Sequence, residues 1–476
     1  MPKFNMERIK KIHLLGIGGC GMSGIAAILK QMGYQVSGSD SREGPNTIRL
    51  RDLGVKVFIG HEADHVRGVD LVIYSSAVTV RNPERREAKA KEIPIIKRAE
   101  MLAWILEQSQ LKIAVAGTHG KTTTTAMLSK VFDFCQLTPT YLIGCDMDYA
   151  EGNAKLGSGR FAIAEADESD SSFLYYLPTA AVITNIEPDH MEQFGSIKVL
   201  QETFEKFAKG VDEAGFIVLD GSNQKNQELM SKVDRRFITY GLEGDVQYTA
   251  KNLHFDQFNS SFNLVRSGED LGQVHLSVPG WQNVVNSLPV FAVGFEYGLD
   301  FASIAAALQT FVGARRRFQT IGEVSNILVI DDYAHHPTEI KATLSAAKLG
   351  WPERRIICVF QPHRFTRTAL LKKEFGQAFG DADKVIITDI YAASEKPIPG
   401  VSGQTIVDNI SGKEVEYIPR KEMINDYLLS ELKGGDIVLT LGAGDIYTVG
   451  KELLTRLKMR DQKPSPPTPL PEGEGR

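Results

Sequence analysis

The chain has 476 residues, a length that suits about three domains of roughly 150 residues each. Hydrophobic residues make up 42% and charged residues 24%, an ordinary globular balance that excludes a mostly disordered chain. A net charge of −5 gives no basic field for generic nucleic-acid binding, and four scattered cysteines (Cys20, Cys135, Cys145, Cys358) without a CxxC pair disfavour a zinc site or disulfide framework.

In chain order, the first element is an apolar strand, Ile12-His13-Leu14-Leu15, followed by the loop GIGGCGMSG and a helical pattern from Ile25. Gly16, Gly18, Gly19 and Gly21, with Met22 and Ser23 beyond them, form a strand–glycine–helix turn of the kind that lets backbone approach a pyrophosphate. Asp40 closes the second strand about twenty residues on, which completes the likeness to a dinucleotide-binding fingerprint. A dinucleotide or a nucleotide sugar would use this loop equally well. The apolar N-terminal run is broken by glycines, and no stretch approaches ~18 uninterrupted apolar residues, so neither export nor membrane spanning is expected and the chain reads as cytoplasmic.

After the strand Val69–Tyr74, the polar segment Glu107–Gln110 marks a break near residue 108. A new strand, Lys112–Ala116, then enters Gly117-Thr118-His119-Gly120-Lys121-Thr122-Thr123 and leaves into a helix. Glycines let successive N–H groups converge on phosphate oxygens, and the helix N-terminus adds its dipole. Lys121 neutralises β/γ charge, and the Thr122 or Thr123 hydroxyl reaches Mg²⁺. The strict pattern wants glycine where Val115 stands, so this is a shortened GxxGKT form of the loop. The competing reading is a chance Gly-Lys-Thr at a helix start, which the flanking strand and helix argue against.

Strand Phe161–Ala164 runs into Glu165-Ala166-Asp167-Glu168-Ser169-Asp170, four carboxylates in six residues at a strand end. A solvated acidic turn is the bland reading; hard oxygen ligands for Mg²⁺ are the functional one. The next strand, Ala180–Ile186, ends in Glu187-Pro188-Asp189-His190, so Asn185 and His190 should face the same crevice as Glu165. Two metal ions on a transferring phosphoryl group would use such a set. Val246–Pro279 alternates apolar and polar residues and predicts inserted β-hairpins. A second break falls near Gly313–Arg317.

The last third has strands Ile327–Asp331, Ile356–Phe360, Lys384–Thr388 and Ile437–Leu441. Two of them feed the loops Asp331–Pro337 and Gln361–Arg367, where Arg364 and Arg367 could share a helix face and fork onto a carboxylate. The turn Gly442-Ala443-Gly444-Asp445 reads as mainly structural. Strands alternating with helices predict an α/β fold with doubly wound parallel sheets, ligands gathering at the strands' carboxyl ends. The expected domains are 1–108, 109–313 and 314–461. The tail 462–476, with five prolines, reads as a disordered extension.

Taken together, GIGGCGMSGIA, AGTHGKTTT, EADESDSSFL, TNIEPDHM, DDYAHHPTE and QPHRFTRT resemble the Mur ligases, amide-forming enzymes of peptidoglycan precursor synthesis, over Ile12 to Lys451. Within that family the likeness is closest to the branch that adds L-alanine to UDP-N-acetylmuramate. The resemblance implies a Rossmann-like UDP-sugar domain, a central ATPase domain and a Rossmann-like C-terminal domain that closes over ATP and amino acid. It implies ATP and Mg²⁺ as cofactors and no nucleic-acid or membrane partner, in a monomer or weak homodimer. By motif, Lys121 holds ATP phosphates, and Glu165 and His190 join Thr122 at magnesium. Asn283, Asn286, Arg317 and Asp332 fall to nucleotide binding. Tyr333, His335, His363, Arg364 and Arg367 fall to the amino-acid pocket, with arginine on the alanine carboxylate; Lys121, Glu165, His190 and Arg367 are the catalytic set. Three other readings compete: a related ligase attaching a recycled tripeptide, a nicotinamide-dependent oxidoreductase, and a nonenzymatic nucleotide-gated switch.

Overall fold

The computed structural model describes residues 6–147, 152–169, 171–393 and 395–461; Asp170 of the acidic run and the proline-rich tail lie outside them. The chain forms two compact units, one ending at Arg315 and the other beginning at Arg316. Among the described residues the strands form three sheets flanked by helices, an α/β architecture throughout.

The first sheet is wholly parallel. Its five strands, in chain order Lys11–Leu15, Gln35–Asp40, Lys56–Ile59, Leu71–Tyr74 and Ile95–Lys97, stand side by side as third, second, first, fourth, fifth. The strand order therefore reverses at the first strand, where ligands collect in open α/β sheets. Ile12 and Leu14 are buried on one face, His13 and Leu15 on the other. A sheet covered on both faces needs such residues on both.

The second sheet has ten strands, with Leu111–Ala116 between Ala180–Ile183 and Phe161–Glu165, all parallel. One edge carries the antiparallel strands Tyr248–Asp256, Asn259–Arg266 and Glu269–Leu276, the hairpins predicted for Val246–Pro279. Helix Lys121–Phe134 packs on Trp281–Glu296, burying Phe132 and Phe291. Phe132 meets Phe161 edge-on at 4.9 Å between ring centroids, and Phe161 meets Tyr297 at 5.1 Å. Phe132→Ala should lower stability by about 3–5 kcal/mol through lost burial and a cavity between fixed rings, read as an earlier urea midpoint.

The first two sheets share one unit because helix Cys20–Gln31 lies against Thr140–Met147 and Gly152–Lys155. Asn153, fully buried, donates to the Cys20 carbonyl at 2.8 Å and the Ile143 carbonyl at 3.0 Å, and it accepts from Arg49. Space is tight at Gly24, where a Cβ would stand 3.1 Å from the Asn153, Ala154 and Leu142 side chains and would push them aside.

The second unit holds a six-stranded sheet, parallel except for the edge strand Gln319–Val324. Strands Ile327–Asp332, Ile437–Leu441 and Ile356–Phe360 lie adjacent at its centre and are buried along their length. Among the described residues no helix is long and apolar enough to cross a membrane.

Candidate active site

The phosphate-type loop leaves the central strand Leu111–Ala116 at its carboxyl end and is held by the neighbouring strand. Gly117 sits at φ +131°, and a Cβ there would lie 2.0 Å from Thr184 Oγ1, so only glycine fits. Gly120 caps helix Lys121–Phe134 at φ +83°, where a Cβ would come 2.5 Å from Asn286 Oδ1. Thr118 N–H donates to the Asn185 carbonyl at 2.9 Å, and His119 N–H donates to Asn185 Oδ1 at 2.9 Å. The Asn185 amide and Thr184 hydroxyl donate back to the His119 carbonyl. Thr118 and His119 thus brace the loop with their backbone, leaving the first-turn N–H groups of Lys121, Thr122 and Thr123 as the helix donors that can meet an anion.

Lys121 is folded back inside this loop. Its ammonium donates to the Gly117 carbonyl at 2.6 Å and the Thr118 carbonyl at 3.0 Å, and pairs with Glu168 at 2.8 Å. Burial alone would lower its pKa, but Glu168, Asp167 and Glu165 around it outweigh that and raise it. The ammonium therefore stays charged, as a phosphate-binding cation must.

Thr122 Oγ1 donates to Glu165, 2.9 Å from Oε2, and the same oxygen accepts Gly144 N–H at 2.8 Å. A threonine hydroxyl beside a carboxylate is a pair of hard oxygen donors, which suits Mg²⁺. His190, at φ +54°, donates its backbone N–H to the Asp189 carboxylate at 2.7 Å. Asp189 also lies 3.7 Å from His190 Nε2, the carboxylate–imidazole arrangement that orients a ligating histidine. The residues present therefore fit a magnesium ion at Thr122 and Glu165.

Asn286 touches this loop through Gly120 and lies 3.5 Å from Thr124 Oγ1, whereas the Asn283 amide donates to the Pro279 carbonyl at 2.7 Å and caps its own helix turn.

In the first sheet, Gly16 takes φ +77° and its N–H donates to the Ser39 carbonyl at 2.8 Å. Gly18 N–H donates to Asp40 Oδ2 at 2.8 Å, and Asn46 holds the Gly18 carbonyl. Gly19 caps the helix, Gly21 lies under Arg98, and Met22 and Ser23 are buried in the helix's first turn. Asp40 thus organises the glycine loop from its own end of the second strand.

The second unit gathers its own cluster. Asp332 is buried and accepts Phe318 N–H at 2.8 Å and Ala334 N–H at 2.7 Å, while burial pushes its carboxyl up to about 6 against the pull of Arg317. Arg317 also faces Glu339 at 3.9 Å and the Tyr333 ring at 5.2 Å. The His335 ring meets His363 edge-on at 5.6 Å, and His363 stacks on Tyr391. Arg367, 6% exposed, places Nη1 3.2 Å from His363 Nδ1. The arginine pair does not share a helix face: the helix is Phe365–Leu370, and Arg364 precedes it at φ +72° with its N–H on the Tyr391 carbonyl. Arg316 donates to the Gly442 and Gly444 carbonyls, so that glycine turn braces the unit.

Sequence reasoning gave no role to Glu168 as the counter-charge of Lys121, to Thr184 and Asn185 as braces of the loop, or to Tyr391 beneath His363. Glu168 lies within the acidic run, and Thr184 and Asn185 lie at a strand end that already pointed Asn185 at the crevice; Tyr391 carries no local signal.

Comparison with known proteins gives three family matches in order. Residues 11–110 match "Mur ligase family, catalytic domain", 115–294 match "Mur ligase middle domain", and 316–444 match "Mur ligase, glutamate ligase domain". The chain is 46% identical over 453 residues to the UDP-N-acetylmuramate–L-alanine ligase of Trichlorobacter lovleyi, covering 94% of this chain and 99% of the relative. It is similar in structure to the UDP-N-acetylmuramate–alanine ligase of Thermotoga maritima, with a TM-score of 0.82, 33% identity and 94% and 99% of the two chains covered. A MurF ligase of Thermotoga maritima in complex with ADP shares the fold, with a TM-score of 0.63 at 18% identity over 96% and 97% of the chains.

Proposed function

The chain belongs to the Mur ligase family, and from that premise we infer that it joins L-alanine to the lactyl carboxylate of UDP-N-acetylmuramate, converting ATP to ADP and phosphate. It is an amide ligase of peptidoglycan precursor synthesis. The observation that carries the reading is full-length likeness to alanine ligases, with a buried cationic lysine in a glycine loop beside a hydroxyl–carboxylate pair. We place it in the cytoplasm, as a monomer or weak homodimer.

The chemistry proceeds in two steps. A lactyl carboxylate oxygen attacks the γ-phosphorus, the bond to the β–γ bridging oxygen breaks, and ADP leaves with that electron pair. The neutral amine of L-alanine then attacks the acyl carbon. A tetrahedral adduct forms, the amine loses a proton, and inorganic phosphate departs. Lys121 and the first-turn N–H groups hold and neutralise the triphosphate, so acceleration is mainly positioning and electrostatics. Thr122, Glu165 and His190 would hold Mg²⁺, which would supply further charge neutralisation to the transfer. Asn283, Asn286, Arg317 and Asp332 are assigned to the nucleotide.

Arg367 is proposed as the fork for the alanine carboxylate, within the Tyr333, His335, His363 and Arg364 pocket. Arg367→Ala should raise the alanine KM by about 10–100-fold, the value of a lost charged hydrogen bond, while the ATP KM stays nearly unchanged. Equal shifts in both would remove that assignment. The function itself is tested by ADP release with UDP-N-acetylmuramate, ATP and Mg²⁺ against glycine, serine, alanine and tripeptide acceptors. Alanine should support the fastest release; release that requires the tripeptide would reassign the enzyme.

A further inference from the structure

Behind the glycine loop of the first sheet lies a polar cluster that the ligase chemistry leaves unused. Glu84, in the helix Pro83–Ala90, has no exposed surface, and its layer is otherwise built from Leu15, Val66, Val72 and Ala88. Its carboxylate is surrounded by donors from three other segments. Ser39 Oγ donates at 2.7 Å, His61 Nδ1 at 2.8 Å, His65 Nδ1 at 2.8 Å and His13 Nε2 at 3.4 Å. The imidazoles are themselves held: His13 by Ser37 at 2.8 Å, His61 by Ser39 at 3.0 Å, and His65 by a stacked Phe58 ring at 3.9 Å. Burial pushes the carboxyl up, but these donors together outweigh it and hold it down at about 2, so Glu84 is an anion.

A buried anion with its own set of donors is seldom the most stable way to fill an apolar layer, since hydrophobic residues of like volume often do as well or better. The contacts of Ser39 show what this one can do. The Ser39 side chain donates to Glu84, while its carbonyl accepts the N–H groups of Gly16 at 2.8 Å and Ile17 at 3.0 Å. The next residue, Asp40, takes the N–H of Gly18. The position of Ser39 therefore fixes where the glycine loop starts and which way its remaining N–H groups point.

We propose that Glu84 is a positioning residue for the sugar nucleotide: through Ser39 it holds the Gly16–Gly21 loop in the conformation that receives the pyrophosphate. His13, His61 and His65 fix the carboxylate so that one oxygen always faces Ser39. The proposal rests on the reading of the glycine loop as the UDP-sugar site.

The test uses the full-length enzyme, calorimetric titration with UDP-N-acetylmuramate, and steady-state kinetics for all three substrates. Glu84→Gln keeps the shape of the side chain but presents an N–H₂ group to donors. Ser39→Ala removes the link to the loop and the Ser39 contact of His61 but leaves the carboxylate with its three imidazoles, so it decides the matter should Glu84→Gln fail to fold. Both should weaken sugar-nucleotide binding and raise its KM by roughly tenfold, the effect of one lost charged hydrogen bond. The KM values for ATP and alanine, and kcat at saturation, should stay within about twofold. Ser39→Ala binding the sugar nucleotide as the wild type does would overturn the proposal, as would a uniform rise of all three KM values, which marks general loosening. Gly18→Val, which crowds Asp40 and Thr47, separates the two readings. If it abolishes sugar-nucleotide binding while Ser39→Ala does nothing, only the role of Glu84 fails. If it binds normally, the loop is not the site and the proposal falls with it.

Discussion

Lys121→Ala is expected to eliminate alanine-dependent ADP release, a fall of about 10³-fold or more, while UDP-N-acetylmuramate still binds. The ammonium is the cation that the loop itself supplies at the helix N-terminus, and three carboxylates keep it charged. Its removal also strands Glu168, 2% exposed at the side chain, without its partner. Burial already raises the Glu168 carboxyl, so without Lys121 it tends to take up a proton, and the loss falls below the about 3–5 kcal/mol of a broken buried pair whose remaining group stays charged. Loss of activity in the single variant therefore mixes catalysis with stability. The double variant Lys121→Ala/Glu168→Gln separates them: thermal stability should recover much of the way, and ADP release should not. Recovery of turnover in the double variant would show that Lys121 serves the fold alone.

The second large effect is expected at Glu165. Glu165→Gln should lower kcat by about 10²–10³-fold and raise the Mg²⁺ concentration needed for half-maximal ADP release. The amide oxygen can still accept Gly144 N–H, and Thr122 keeps an acceptor, so the loop's geometry should persist. What disappears is the negative charge beside the hydroxyl. A magnesium titration of ADP release, with the melting temperature as control for folding, measures this directly. An unchanged magnesium requirement would move the metal away from Thr122 and Glu165.

Much of this architecture is written locally. The apolar runs ending in glycine, acid or histidine mark the parallel strands, because a strand buried on both faces reads as a continuous hydrophobic segment. The alternating stretch near residue 250 announces the antiparallel edge for the same physical reason in reverse, one face of it meeting water. The phosphate-type loop is legible because strand, glycines, lysine and helix follow one another without interruption.

What stays hidden is pairing across distance. Glu168 stands 47 residues from Lys121 and Asn185 stands 66 from His119, so no spacing rule connects them. The Glu84 cluster draws partners from 19 to 71 residues away, and each histidine alone reads as an ordinary polar residue. Arg364 shows the converse error. Three-residue spacing suggested a shared helix face, but the backbone turns to φ +72° just before the helix begins. Local pattern sets the elements; which side chains meet is decided by the order in which strands enter the sheet.

The central claim is that the triphosphate activates the sugar-borne acid before the amine arrives. UDP-N-acetylmuramate labelled with ¹⁸O in both lactyl carboxylate oxygens, turned over with ATP and L-alanine, tests it most directly by mass analysis of the released phosphate. One labelled oxygen should appear in each phosphate, carried over when the acyl–oxygen bond breaks. Phosphate free of label, with amide product formed, would contradict the account.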